Sequence, residues 1–88
     1  MKDLIEMVAR HLVDDEASVS VKEMRTERMA VYEITVADDD YGKLIGTQGA
    51  HVKALRILLS SVARKYGLSA ALEVNDPKHR KPKQAEKP

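Results

Sequence analysis

Cysteine, phenylalanine and tryptophan are absent from this chain, and the only aromatic residues besides histidine are Tyr32, Tyr41 and Tyr66. Without cysteine there is no disulfide framework and no thiolate metal site, which suits a reducing compartment such as the cytoplasm. So few aromatics exclude the stacking platforms on which RRM and OB modules hold bases. No apolar run approaches the ~18 residues of a membrane span. Acids fall within the first turns, in Met1-Lys2-Asp3-Leu4-Ile5-Glu6, unlike a secretory signal.

The 88 residues suffice for one small domain. A net charge of +1 hides an asymmetry. Residues 1–75 carry ten Lys/Arg against twelve Asp/Glu, whereas residues 76–88 carry five against two. All three prolines fall in that last segment, which has no large apolar residue. A domain over 1–75 and a disordered basic tail over 76–88 are expected. The tail would solubilise, or add non-specific attraction to phosphates.

Periodicity supplies the elements. Leu4, Ile5, Val8 and Leu12 make one apolar stripe, so residues 2–13 read as a helix. Asp14-Asp15-Glu16 is a polar break. Val19 and Val21 alternate with Ser18, Ser20 and Lys22 as in a half-buried strand. Met24 to Met29 reads as a hairpin connection, and Tyr32, Ile34 and Val36 mark a second strand. Asp38-Asp39-Asp40 offers an N-cap for a short helix ending at Ile45. Val52, Leu55, Leu59, Val62 and Tyr66 predict a core-facing stripe on a helix over about 50–65, which Gly67 ends. Ala70 to Val74 completes the order helix, strand, strand, helix, helix, strand, an α+β arrangement without internal repeat.

Between the second and third helices lies Gly46-Thr47-Gln48-Gly49. Two glycines three apart make a tight turn with little side chain on its outer surface, so a phosphate can reach main-chain N–H groups. The next helix adds its own free N–H groups and positive end. In KH modules such a loop clamps about four nucleotides of single-stranded RNA. Alone, the four residues favour a plain turn, Gly46 ending one helix and Gly49 easing entry to the next, and it is the context that shifts the balance.

A second face of the long helix is apolar. Ala54, Ile57, Leu58 and Ser61 fall at helical spacing, flanked by Lys53, Arg64 and Lys65. They suit a helix of another chain packed there. In the other reading, Leu58 merely widens the core stripe.

The element order and the loop together resemble the type II KH fold of bacteria. Met1-Lys2-Asp3-Leu4-Ile5-Glu6, Val19-Ser20-Val21, Gly42-Lys43-Leu44-Ile45-Gly46-Thr47-Gln48-Gly49 and Lys53-Ala54-Leu55-Arg56 are similar to the KhpA family of small single-KH RNA-binding proteins. The likeness covers about residues 1–75. It implies three helices on one face of a three-stranded mixed sheet, and cytoplasmic RNA binding without sharp sequence preference. It also implies homodimers, or pairing with a larger KH protein called KhpB or Jag, in processes tied to cell elongation and division.

Carried over residue by residue, the resemblance makes Gly46, Thr47, Gln48 and Gly49 the clamp and puts Ile45 on an apolar floor. Lys43, His51, Lys53 and Arg56 would reach phosphates or bases. For Lys53 and Arg56 a solvated helix face is an equal reading, and His51 also reads as a polar residue beside the loop. One departure matters. KH loops commonly carry Lys or Arg between the glycines, whereas here Thr47 and Gln48, and Ala50 just after, bear no charge. Weaker binding is therefore expected. No enzyme, metal or cofactor is expected, because His11, His51 and His79 fall on a helix, beside a loop and in the tail, and neither Gly-x-Ser-x-Gly nor a P-loop occurs. The rival function is a protein–protein interaction module that keeps the glycine turn but uses Ala54, Ile57, Leu58 and Ser61.

Overall fold

A computed structural model describes residues 1–77. The helices are α1 (Lys2–Leu12), α2 (Tyr41–Ile45) and α3 (Ala50–Lys65), and the strands are β1 (Ser20–Arg25), β2 (Met29–Thr35) and β3 (Ser69–Val74). Short 3₁₀ turns at Glu16–Ser18, Asp38–Asp40 and Thr47–Gly49 introduce β1, α2 and α3 respectively. The sheet is mixed, in the order β1-β2-β3. β1 runs antiparallel to β2 with Val21 opposite Ile34, and β3 runs parallel to β2 with Leu72 opposite Tyr32. The parallel pair requires a long crossover, and that crossover is α2, the glycine loop and α3. The expected tail over 76–88 lies, beyond Pro77, outside the described residues.

One face of the sheet makes the core. Ala30, Tyr32 and Ile34 alternate with half-buried neighbours, and Val21 and Leu72 flank them. Against them pack Ile5 and Ala9 of α1, Leu44 of α2, and Leu55 and Leu59 of α3. Burying each large aliphatic side chain is worth about 1.5–3 kcal/mol. A chain this short has few of them.

Several expected boundaries shift. Met24 and Arg25 belong to β1 and Met29 to β2, so the connection shrinks to Thr26-Glu27-Arg28. The Thr26 hydroxyl accepts the Met29 N–H at 3.1 Å, which tightens the turn. In α1 the fully buried line is Ile5 and Ala9, continued by Val13 just past the helix, while Leu4, Val8 and Leu12 stay half-buried. Tyr66 is a correction. It lies past α3, 63% exposed, and Ala63 occupies the core position instead. At 3.6 residues per turn residue 66 would continue the stripe, but the helix ends at Lys65 and Tyr66 leaves it with φ −99° and ψ 8°.

Asp40 is another correction. At the N-cap of α2 it makes no capping bond. Its carboxylate, 3% exposed, instead accepts the Asp15 N–H at 2.9 Å. That bond ties the segment after α1 to the start of α2, and so to the approach of the loop.

Tyr32 crosses the core with its hydroxyl donating to Glu23 Oε2 at 2.6 Å. Burial first, then the Glu23 carboxylate, pushes its phenol from the ordinary 10.0 up to about 12. The fold favours the neutral phenol. Tyr32 thus contributes stability that is complete below pH 10 and disappears as pH rises toward 12. Denaturant midpoints measured from pH 9 upward should fall more steeply through that window for the unmodified chain than for Tyr32→Phe.

Candidate nucleic-acid interface

Three of the four loop residues have positive φ. Gly46 has φ 81° and ψ 172°, Gln48 has φ 55° and ψ 28°, and Gly49 has φ 77° and ψ 18°. The Gly46 conformation is essentially restricted to glycine. A Cβ there would also lie 2.7 Å from the His51 ring. His51 packs over the inner side of Gly46, and its Nδ1–H donates to the Lys43 carbonyl at 2.9 Å. A carbonyl only accepts, so the proton is on Nδ1. This bond satisfies one of the carbonyls that the short α2 leaves open at its end. Around Gly49, by contrast, no atom lies within 4 Å of a Cβ position. The first glycine is closed by the protein itself, and the second opens outward.

The amides divide in the same way. Gly46 N–H donates to Gly42 O at 2.9 Å, and Gly49 N–H to Gly46 O at 3.1 Å. The N–H groups of Thr47 and Gln48 find no acceptor among the described residues. Successive N–H groups on a turn that changes hand converge into a concavity suited to an anion. The candidate anion site is therefore two amides wide, at the two residues between the glycines.

Beside the loop lies a groove of about 260 Å³, lined by Tyr41 and Ile45 of α2, Gly49, Val52, Lys53 and Arg56 along α3, and Val74 of β3. Four expected residues (Ile45, Gly49, Lys53 and Arg56) meet there. Arg56 is held in place, with Nε and Nη2 donating to the Leu72 carbonyl at 3.3 and 3.1 Å. Tyr41, Val52 and Val74 were not expected. Tyr41 stands four residues before Ile45, on the same helix face, and that spacing was the available signal.

Lys43 and His51 do not line this groove. Lys43 stands two residues from both Tyr41 and Ile45, which turns it to another side of α2. There its ammonium pairs with the Asp14 carboxylate and lies 3.8 Å from Asp40 Oδ1. The hydrogen bond to Asp14 leads in raising its pKa above the ordinary lysine value. His51 faces an apolar hollow on the other flank of α3, with Val8, Leu12, Ala54, Leu55 and Leu58.

The groove also has an acidic end. Burial, then the Asp76 carboxylate that accepts its hydrogen bond, raises the Tyr41 phenol above its ordinary value. Asp38 to Asp40 lie just before Tyr41 in the chain. Positive charge lies instead along α3, at Lys53 and Arg56.

Gln48 holds a left-handed conformation that costs a non-glycine residue about 1 kcal/mol. Gln48→Gly should therefore stabilise the fold by roughly 0.5–1 kcal/mol in denaturant titrations, while keeping the main-chain N–H.

The KhpA/KhpB KH-domain family model matches residues 2–74, from the first residue of α1 to the last of β3. The chain is 40% identical to the RNA-binding protein KhpA of Chlamydia caviae, over 89% of this chain and all of that protein. It is 39% identical to the protein of that name from Aquifex aeolicus, over 84% of this chain and 94% of that one. A third relative, RNA-binding protein KhpA of Chlamydia trachomatis, is 39% identical over 84% and 95% respectively. No solved structure matches the chain. With its loop and groove inside the matched span, this chain belongs to the KhpA/KhpB KH-domain family.

Proposed function

We propose that this chain binds single-stranded RNA in the cytoplasm, as a single type II KH module over residues 1–75 with a basic tail over 76–88. The observation that carries this reading is the pair of uncommitted amides at Thr47 and Gln48, beside a groove holding Lys53 and Arg56. The amides take a phosphate, Gly46 and Gly49 shape the turn, and Ile45, Val52 and Val74 receive base faces. Main-chain donors and apolar contacts do not distinguish one base strongly from another, so sequence preference is low. Relatives named as RNA-binding proteins support the same reading. With no charged side chain between the glycines, affinity per module is modest.

The exposed flank of α3 supports a dimer. Ile57 is 69% exposed and Leu58 42% exposed, and Leu58 with Ala54 lines an apolar hollow shared with Val8 and Leu12 of α1. Another copy of the chain, or a KhpB/Jag-type KH protein, would cover this face. Joining two weak clamps raises the avidity for one RNA without new contacts. A role in post-transcriptional regulation linked to cell elongation and division follows from the family resemblance.

Thr47→Asp with Gln48→Asp puts two carboxylates against the phosphate position on an exposed loop. Fluorescence anisotropy with oligouridylate should show at least a tenfold loss of affinity, with the thermal unfolding transition retained. Unchanged affinity would place the RNA elsewhere. Ile57→Asp tests the other face, because Ile57 is the more exposed of the two large residues. Sedimentation should report a monomer, while the affinity of each module for a short oligonucleotide persists. A dimer that survives this change would remove α3 from the interface.

A further inference from the structure

The groove beside the loop is one end of a longer seam. Gly49 and residues 52, 53 and 56 of α3 line it, and four residues further on Ser60, and then Arg64, line a second hollow with Leu68, Ser69 and Ala70. That hollow measures about 470 Å³. Both sit where α3 faces the start and end of β3. The strand between them presents backbone to the same side. Ser69 N–H donates to Arg28 O and Asn75 N–H to Ile34 O, so residues 69, 71, 73 and 75 turn their amides toward β2. Ala70, Leu72 and Val74 therefore turn theirs to the open edge, and the Leu72 carbonyl is the one that Arg56 engages. A guanidinium has five N–H donors, of which that carbonyl takes two.

Charge along this seam is graded. Asp76 and the three aspartates before Tyr41 lie at its loop end, whereas among the described residues no carboxylate lines either hollow. Lys53, Arg56 and Arg64 follow one another on α3. Eleven residues of helix separate Lys53 from Arg64, about 16 Å. At ~3.4 Å per stacked nucleotide that distance spans about five nucleotides.

Building on the proposed clamp, we infer that the RNA strand continues past Arg56 to a second subsite, where Arg64, Ser60 and Ser69 take a further phosphate and the β3 edge at Ala70 offers a backbone donor. The occupied length then exceeds the roughly four nucleotides of the loop clamp alone.

The test compares U4 and U10 on the full chain and on Arg64→Gln, by anisotropy at several salt concentrations. Arg64 is exposed, so Arg64→Gln keeps its fold, which circular dichroism checks. Both proteins meet U10 in the same number of registers, so that factor cancels. The subsite predicts that Arg64→Gln binds U10 roughly fivefold more weakly, with a salt slope smaller by about 0.7, and binds U4 as the unmodified chain does. Equal U10 binding by the two proteins, with U4 binding intact, overturns the second subsite and leaves the clamp standing. An equal loss on U4 and U10 also overturns it, since Arg64 would then act on the field of the whole domain. If the unmodified chain binds neither oligonucleotide, the clamp itself fails, and the subsite with it.

Discussion

The hydrogen bond from His51 Nδ1–H to the Lys43 carbonyl closes the inner side of the turn on which the candidate site depends. It joins the end of α2 to the first turn of α3 across Gly46. The imidazole lies where a Cβ on Gly46 would have to go, so the glycine, the histidine and the reversal of the chain are one unit. With its inner side filled, the loop leaves the Thr47 and Gln48 amides without an acceptor among the described residues. The glycines thus do different work. Gly46 lets the protein approach itself, and Gly49 leaves space that something else can enter.

Around that unit the charges are disposed to leave the loop neutral. Lys43, the cation nearest in sequence before the loop, is paired with Asp14 and lies near Asp40, which in turn accepts the Asp15 N–H. The lysine serves the attachment of α1 to α2 rather than the groove. Cationic character resides on α3, where Arg56 is anchored to the Leu72 carbonyl and Lys53 lines the same groove. For the proposed strand, main-chain donors stand at one end of the groove and side-chain cations along the helix beyond it. Under the proposed function, that division accounts for general affinity for phosphate with little demand on base identity.

The core was largely legible, because Ile5, Val21, Ile34, Leu55 and Leu59 fall on plain 3.6- and 2-residue periods. The misses share a cause. Ala9, Ala30 and Ala63 are fully buried, yet alanine carries a weak apolar signal, while Tyr66 carries a strong one and lies outside the helix. At the site, the glycine spacing pointed to the loop, and Lys53 and Arg56 lay one and two turns beyond it on an amphipathic helix. The fates of Lys43 and His51 were not visible. The Lys43 partner, Asp14, is 29 residues away, and His51 turns back eight residues to a carbonyl. Local patterns do not encode such contacts. Gln48 was hidden for another reason, since a left-handed backbone at a residue other than glycine leaves no mark in composition.

The central claim is that the Thr47 and Gln48 amides receive phosphate. Titrating ¹⁵N-labelled protein with short oligouridylate and following each backbone amide by NMR tests it most directly. The account predicts the largest shifts at Thr47 and Gln48, with smaller ones at Gly49, Lys53, Arg56 and Val74. Saturating RNA that leaves those two amides unmoved, while signals shift on another face of the protein, would contradict it.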